Sequence, residues 1–334
     1  IIKKIDDNPQ TKLGILQITP NGPRVKSIDK SGKEWLVELD KGVVIEDGEL
    51  VEFRKIDSGR RIRSEKVRVS ERLGDPSAPK SVSLIAIHQH KIPNIFPEDV
   101  LLQSKKASFL QNKKWDDYSH VPFVTIDPKD ARDHDDACYA KPDDDPKNIG
   151  GHLIWVAIAD VAHFVRSGDA IDNEARHRGN STYFPDRVVP MLPDNLSGNL
   201  CSLHEGEKRA CIVVKIKIDS VGNKISHKFT RAVIQSWASL EYGEVQEVID
   251  KGKGKPKVLD LVNTVIKPLY DAYSCLKISR KARSPLDLNL PERKIEIDEK
   301  GIVKDVRFKE RLEAHKLIEE FMILANVCAA ETLS

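Results

Sequence analysis

Five aspartates fall within ten residues, and four of them, Asp127, Asp133, Asp135 and Asp136, form the candidate cluster in the stretch Val124-Thr-Ile-Asp-Pro-Lys-Asp-Ala-Arg-Asp-His-Asp-Asp136. Two carboxylates about 4 Å apart repel by about 4 kcal/mol at an effective dielectric of about 20. Gathering four at one place therefore requires a compensating cation or protonation. An all-oxygen donor set favours a hard ion, and Mg²⁺ takes one or two carboxylates, several waters and substrate phosphate oxygens. Such an ion activates water and stabilises the leaving oxygen of a phosphodiester.

The plainer alternative is a solvated acidic loop. Against it stands the context: the apolar run Phe123–Ile126 delivers Asp127 at its end, Pro128 stops the run, and Ala137-Cys-Tyr-Ala140 resumes it. An EF-hand does not fit. With Asp133 as position 1, position 6 is Cys138 instead of glycine and position 12 is Asp144 instead of glutamate. His134-Asp135, with His88 or His90 as an earlier ligand, would suit a His–Asp phosphohydrolase. That family builds its site on helices, whereas this dipeptide follows a strand and a proline.

The elements that would position the cluster change character along the chain. Leu13–Ile18, Glu34–Leu39, Leu50–Lys55 and Lys66–Val69 read as short strands separated by Gly- and Pro-bearing turns such as Pro20-Asn21-Gly22-Pro23. This predicts a small OB-like β-barrel over residues 1–75, of the type that binds single strands in a basic groove with stacking aromatics. Its aromatics are few, Trp35 and Phe53, so a scaffolding barrel is the alternative. Arg54-Lys55, Arg60-Arg61, Arg63, Lys66 and Arg68 form the densest basic segment, and an ordinary solvated face is the preferred reading. Residues 76–118 read as a polar connector with one helix, Glu98–Gln111.

From residue 119 the texture is mixed. Strand-like runs at Phe123–Ile126, Leu153–Ala159, Ile212–Ile218 and Phe229–Ser236 alternate with helical segments, giving an α+β chain overall. The last helix, Arg311–Leu333, carries Ile318, Phe321, Met322, Ala325 and Ala329 on one face. No stop signal follows it. The expectation is a face awaiting a partner, a domain truncated at its C-terminus and self-association of the chain.

Composition excludes several classes. At 334 residues with 32% charged and 40% hydrophobic residues, the chain has the balance of a soluble globular protein of two domains. No apolar run is long enough to span a bilayer, and no membrane partner is expected. Five scattered cysteines without CxxC spacing support neither a zinc site nor a disulfide framework; they read as free thiols in a reducing cytoplasm. The net charge of +2 says little about partners.

The string TIDPKDARDHDDA closely resembles the catalytic signature of the ribonuclease II/R (RNB) family of exoribonucleases. It does not stand alone: WVAIADVAHFV (155–165), EARHRGNSTYFPDRVVPMLP (174–193), LCSL (200–203) and AHKLIEEFMILAN (314–326) follow in the family's order and at similar spacing. The resemblance is strong from Val121 to Ser334 and weaker over 10–118, where the pattern is similar to a cold-shock domain and its linker. It implies 3′→5′ hydrolysis of single-stranded RNA to nucleoside 5′-monophosphates with Mg²⁺. It also implies that Asp127 and Asp136 are metal ligands, that Asp135 and Asp133 are catalytic, and that Tyr183 stacks on a base of the RNA. Asp160 and His163 are read as structural. Ser239-Leu-Glu-Tyr242 stands where the family has Arg-Leu-Thr-Tyr. The family's later arginine-bearing HFTSPIRRYPDL-type block is not among these residues, so the chain is expected to cover the first part of the catalytic domain and to be inactive alone.

Overall fold

In the computed structural model the described residues are 12–29, 31–38, 45–56, 66–109, 114–285, 291–298, 303–308 and 310–334. They form two units, each taken by itself below.

The first unit is built on a closed barrel of five strands in the order β1-β2-β3-β5-β4. These are β1 (Lys12–Thr19), β2 (Gly22–Ser27), β3 (Glu34–Val37), β4 (Leu50–Lys55) and β5 (Lys66–Gly74). The expected strand pattern lies here, with β2 added. Gly22 at φ 103° closes a two-residue turn that pairs Thr19 with Gly22, so the Pro20–Pro23 punctuation is the turn of the β1–β2 hairpin. Trp35 and Phe53 are buried, with ring centroids 5.2 Å apart, and pack with Leu16, Val25, Val51 and Val67. Neither presents an open face for a base. Arg60, Arg61 and Arg63 lie outside the described residues. The unit also holds α1 (Pro79–Gln89), which the polar reading of the connector missed, and two hairpins: β10 (Thr182–Tyr183) with β11 (Val188–Val189), and β15 (Arg293–Ile297) with β16 (Val303–Phe308).

The second unit is a seven-stranded sheet in the order β14-β7-β8-β9-β12-β13-β6. Its strands are β6 (Asp116–Tyr118), β7 (Val124–Asp127), β8 (Asp136–Pro142), β9 (His152–Ala159), β12 (Lys208–Ile218), β13 (Lys224–Gln235) and β14 (Ala238–Glu241). The central pairs are antiparallel, and both edges, β14 on β7 and β6 on β13, are parallel. Helix α2 (Glu98–Lys106) ends earlier than expected, with Ala107 already extended at ψ 134°. The short α3 (Val161–Phe164) and α4 (Ala170–Arg178) follow β9.

One face of the sheet is covered by α5 (Tyr242–Lys251), α6 (Pro256–Asp260), α7 (Lys267–Arg283) and α8 (Glu313–Leu333). Val124, Ile126, Cys138, Ile154, Val156, Val214 and Ile216 meet Leu269, Leu276, Leu317 and Phe321 in one apolar core. This corrects the expectation for the last helix. Ile318, Phe321 and Ala325 are buried against the unit's own core, so that face needs no second copy. The pattern had identified the apolar face correctly; only the tertiary packing shows what covers it. Among the described residues no helix is long and apolar enough to cross a membrane.

Candidate active site

Asp127 and Asp136 bracket one loop between adjacent strands. β7 is fully buried until Asp127, Pro128 ends it, and Ala131 N–H donates to the Pro128 carbonyl to turn the chain back. β8 then begins at Asp136, whose register partner on β9 is Ile158, while Ala159 N–H donates to the Asp135 carbonyl at 3.0 Å. The sheet therefore brings Asp127, Asp135 and Asp136 to one end of three neighbouring strands.

The electrostatics show the proximity. Burial pushes the Asp136 carboxyl up to about 7, with Asp127 and Asp135 adding to the effect. Burial also raises Asp135, with Asp133 and Asp127 as the neighbouring charges. Nδ1 of His134 lies 2.7 Å from Oδ2 of Asp127, and this hydrogen bond holds the imidazole above its usual range, opposed by burial. Burying like charges is costly unless a cation or a proton neutralises them. Here a proton, His134 or a metal must do so.

The donor set is oxygen-only and suits a hard divalent cation. Among the described residues no group of three or more His, Cys, Asp or Glu side chains is gathered in a way that could hold a metal ion. Mg²⁺ takes one or two carboxylates and fills its octahedron with water and phosphate oxygens. Asp127 and Asp136 would hold it. His134, weighed in the sequence only as a ligand of a His–Asp site, is instead the hydrogen-bond partner of a carboxylate; His88 and His90 belong to the other unit.

Tyr242 had been noted only as part of a local departure. β14 runs parallel to β7 with Glu241 opposite Asp127, so α5 starts with Tyr242 beside the cluster. Burial, then Asp127 and Asp136, raise its phenol. Its ring stacks on His315 with centroids 4.0 Å apart and planes at 16°. No local pattern marks this, because β7 and β14 are more than a hundred residues apart in the chain.

Asp160 is buried and pairs with Arg231 at 3.0 Å, and His163 sits among the rings of Trp115, Phe164 and Phe109. Tyr183 lies on β10 in the first unit, 64% exposed, whereas the four aspartates lie in the second.

A family model for the RNB domain matches residues 115–334. Ribonuclease R of Vibrio cholerae is 37% identical over 289 residues, covering 85% of this chain and 34% of the relative. Ribonuclease R of Escherichia coli K12 is 37% identical over 267 residues, covering 79% and 32%. The chain thus spans about a third of the length of these curated relatives. Among solved structures, Mycoplasma genitalium RNase R in complex with ribose methylated single-stranded RNA superposes with a TM-score of 0.78 at 25% identity, covering 97% of this chain and 51% of that one. Yeast Ssd1, described as a pseudonuclease, shares the fold with a TM-score of 0.52 at 15% identity, covering 96% and 40%.

Proposed function

The chain belongs to the RNB domain family, and from that premise we propose that the protein is a 3′→5′ exoribonuclease that hydrolyses single-stranded RNA to nucleoside 5′-monophosphates. The observation that carries this reading is the carboxylate cluster on the loop joining β7 to β8, where the sheet register brings Asp127, Asp135 and Asp136 to one end of neighbouring strands. Fold alone does not carry it, since a pseudonuclease shares the fold. The retained aspartates do.

In each turnover water adds to the last internucleotide phosphorus and the P–O3′ bond breaks. The shortened RNA keeps a 3′-hydroxyl and a 5′-monophosphate leaves. Bound Mg²⁺ supplies positive charge to the phosphate oxygens and lowers the pKa of water. Asp127 and Asp136 would hold the ion, and Asp135 and Asp133 would be the catalytic carboxylates of the same acidic loop. Tyr183 offers a stacking face that tolerates any base, worth about 1–3 kcal/mol per base.

The proposed organisation is a cold-shock barrel over 1–75, a connector over 76–118 and the catalytic domain from 119 to 334. With Trp35 and Phe53 buried in the barrel, its RNA contacts would come from charged side chains such as Arg24, Lys26 and Arg54. Five free, buried thiols suit a reducing cytoplasm. The activity is proposed for the protein and not for these 334 residues taken alone, on which nucleotide release from RNA is expected to be absent or slight.

The deciding experiment is Asp135→Asn in the protein, assayed on end-labelled single-stranded RNA. Hydrolysis should fall by at least roughly a hundredfold, while RNA affinity stays within a few-fold, because the amide keeps the shape and removes only the charge. Turnover within severalfold of the unsubstituted protein at saturating Mg²⁺ would sink the assignment.

A further inference from the structure

The loop that carries Asp133, Asp135 and Asp136 contains no regular secondary structure between Asp127 and Asp136, yet its middle is pinned on both sides. The hydroxyl of Ser202 accepts the His134 N–H at 3.0 Å and lies 3.3 Å from the Arg132 carbonyl, to which it donates. One residue on, Leu203 N–H donates to the His134 carbonyl at 2.8 Å. Ser202 is fully buried. Its backbone is anchored in turn by Arg209, which is 6% exposed. That guanidinium donates to the carbonyls of Ser202 at 2.8 Å and Asn199 at 3.2 Å, to Lys208 at 3.2 Å and to the Asn199 side chain at 3.3 Å. It also pairs with the Glu207 carboxylate, but three of its bonds end on backbone carbonyls, which makes a buried arginine a rigid support.

We infer that Ser202, seated by Arg209, is a positioning residue of the active site: it fixes the backbone on the N-terminal side of His134, at the Arg132 carbonyl and the His134 N–H, and so sets where Asp127, Asp135 and Asp136 stand for the metal ion. The link runs from Arg209 to Ser202, to the His134 backbone, and from the His134 ring to Asp127 at 2.7 Å. The segment Leu200–Leu203 touches no substrate in this reading and acts only through the acidic loop. The inference rests on the metal-site reading proposed above. Partners of this kind behind a metal's own ligands are typically worth about 10–100-fold in metal affinity.

The test uses the full 334-residue chain with Ser202→Ala, which is smaller than serine and leaves the backbone free to fold. Ser104→Ala is the control, since Ser104 is equally buried and donates to the Leu101 carbonyl on α2, away from the loop. Two readouts are taken well below the melting temperature. Amide hydrogen exchange should show His134 protected in the unsubstituted chain and in Ser104→Ala, and unprotected in Ser202→Ala, with the β8 and β9 amides unchanged. Mn²⁺ titration by calorimetry should show affinity weakened at least about tenfold by Ser202→Ala and unchanged by Ser104→Ala. An unprotected His134 amide in the unsubstituted chain overturns the clamp. Lost protection with Mn²⁺ affinity within twofold makes Ser202 structural only and overturns the positioning role. No Mn²⁺ binding by the unsubstituted chain overturns the metal-site reading itself, and the positioning role with it.

Discussion

His134 and Asp127 form a close ion-pair contact, Nδ1 to Oδ2 at 2.7 Å, at the edge of the carboxylate cluster. The contact gives the cluster a hydrogen-bond partner from its own chain and assigns His134 to orienting a carboxylate. A ligand and a hydrogen-bond partner differ in what their loss does. His134→Ala should lower Mn²⁺ affinity by about 10–100-fold, whereas Asp136→Ala should remove measurable binding. Complete loss of binding in His134→Ala, read by calorimetry, would return the imidazole to the role of a ligand.

The raised carboxyl of Asp136 makes stability depend on pH in a definite direction. In the unfolded chain this group titrates near 3.8 and in the folded chain at about 7, so between these values the native state binds the extra proton. Its contribution to stability is fully present below about pH 4 and is lost as pH rises through about 7. His134, also raised, acts in the same sense at the upper end of that window. With chelator present, the melting temperature should fall from pH 5 to pH 8, and Asp136→Asn should flatten the fall. Added Mn²⁺ should reverse it, because the cation replaces the proton. A melting temperature that rises across this window in chelator, equally in both proteins, would show that Asp136 is not the buried acid described.

Tyr183 is exposed, so Tyr183→Ala should leave the melting temperature within about 2 °C, in line with the small effects of surface substitutions. In the protein acting on a single-stranded RNA it should lengthen the final oligonucleotide, since one stacking platform is lost, more than it slows the early rate. An unchanged end-product ladder would mean that the ring does not meet the RNA.

Helix α8 provides a direct test of internal packing. Phe321 is fully buried in the core of the second unit, whereas Ile323 on the same helix is 40% exposed. Phe321→Ala should cost about 3–5 kcal/mol in the denaturation transition of that unit, and Ile323→Ala less than about 1 kcal/mol. Similar small effects at both positions would mean that the helix is not seated on the sheet.

The acidic cluster was legible from the sequence because its information is local. An apolar run, a proline and five aspartates within ten residues define a strand end and a loop without reference to anything distant. Most barrel strands were legible for the same reason, since alternation and turn residues act over a few positions. Helix α1 was not, because its apolar residues Val82, Leu84, Ile85 and Ile87 are spread around the helix and mark no single face. The apolar stripe of α8 was visible in the sequence, but what it meets was not, and the inferred need for a partner failed on that point. The arrival of Tyr242 beside Asp127, and of Ser202 behind His134, depended wholly on pairing between segments about seventy to more than a hundred residues apart. Periodicity reports which side of an element is buried; it carries no information about which distant backbone supplies the hydrogen bond. The sequence by itself therefore determined which groups could do the chemistry, and the tertiary structure alone decided which groups hold them in place.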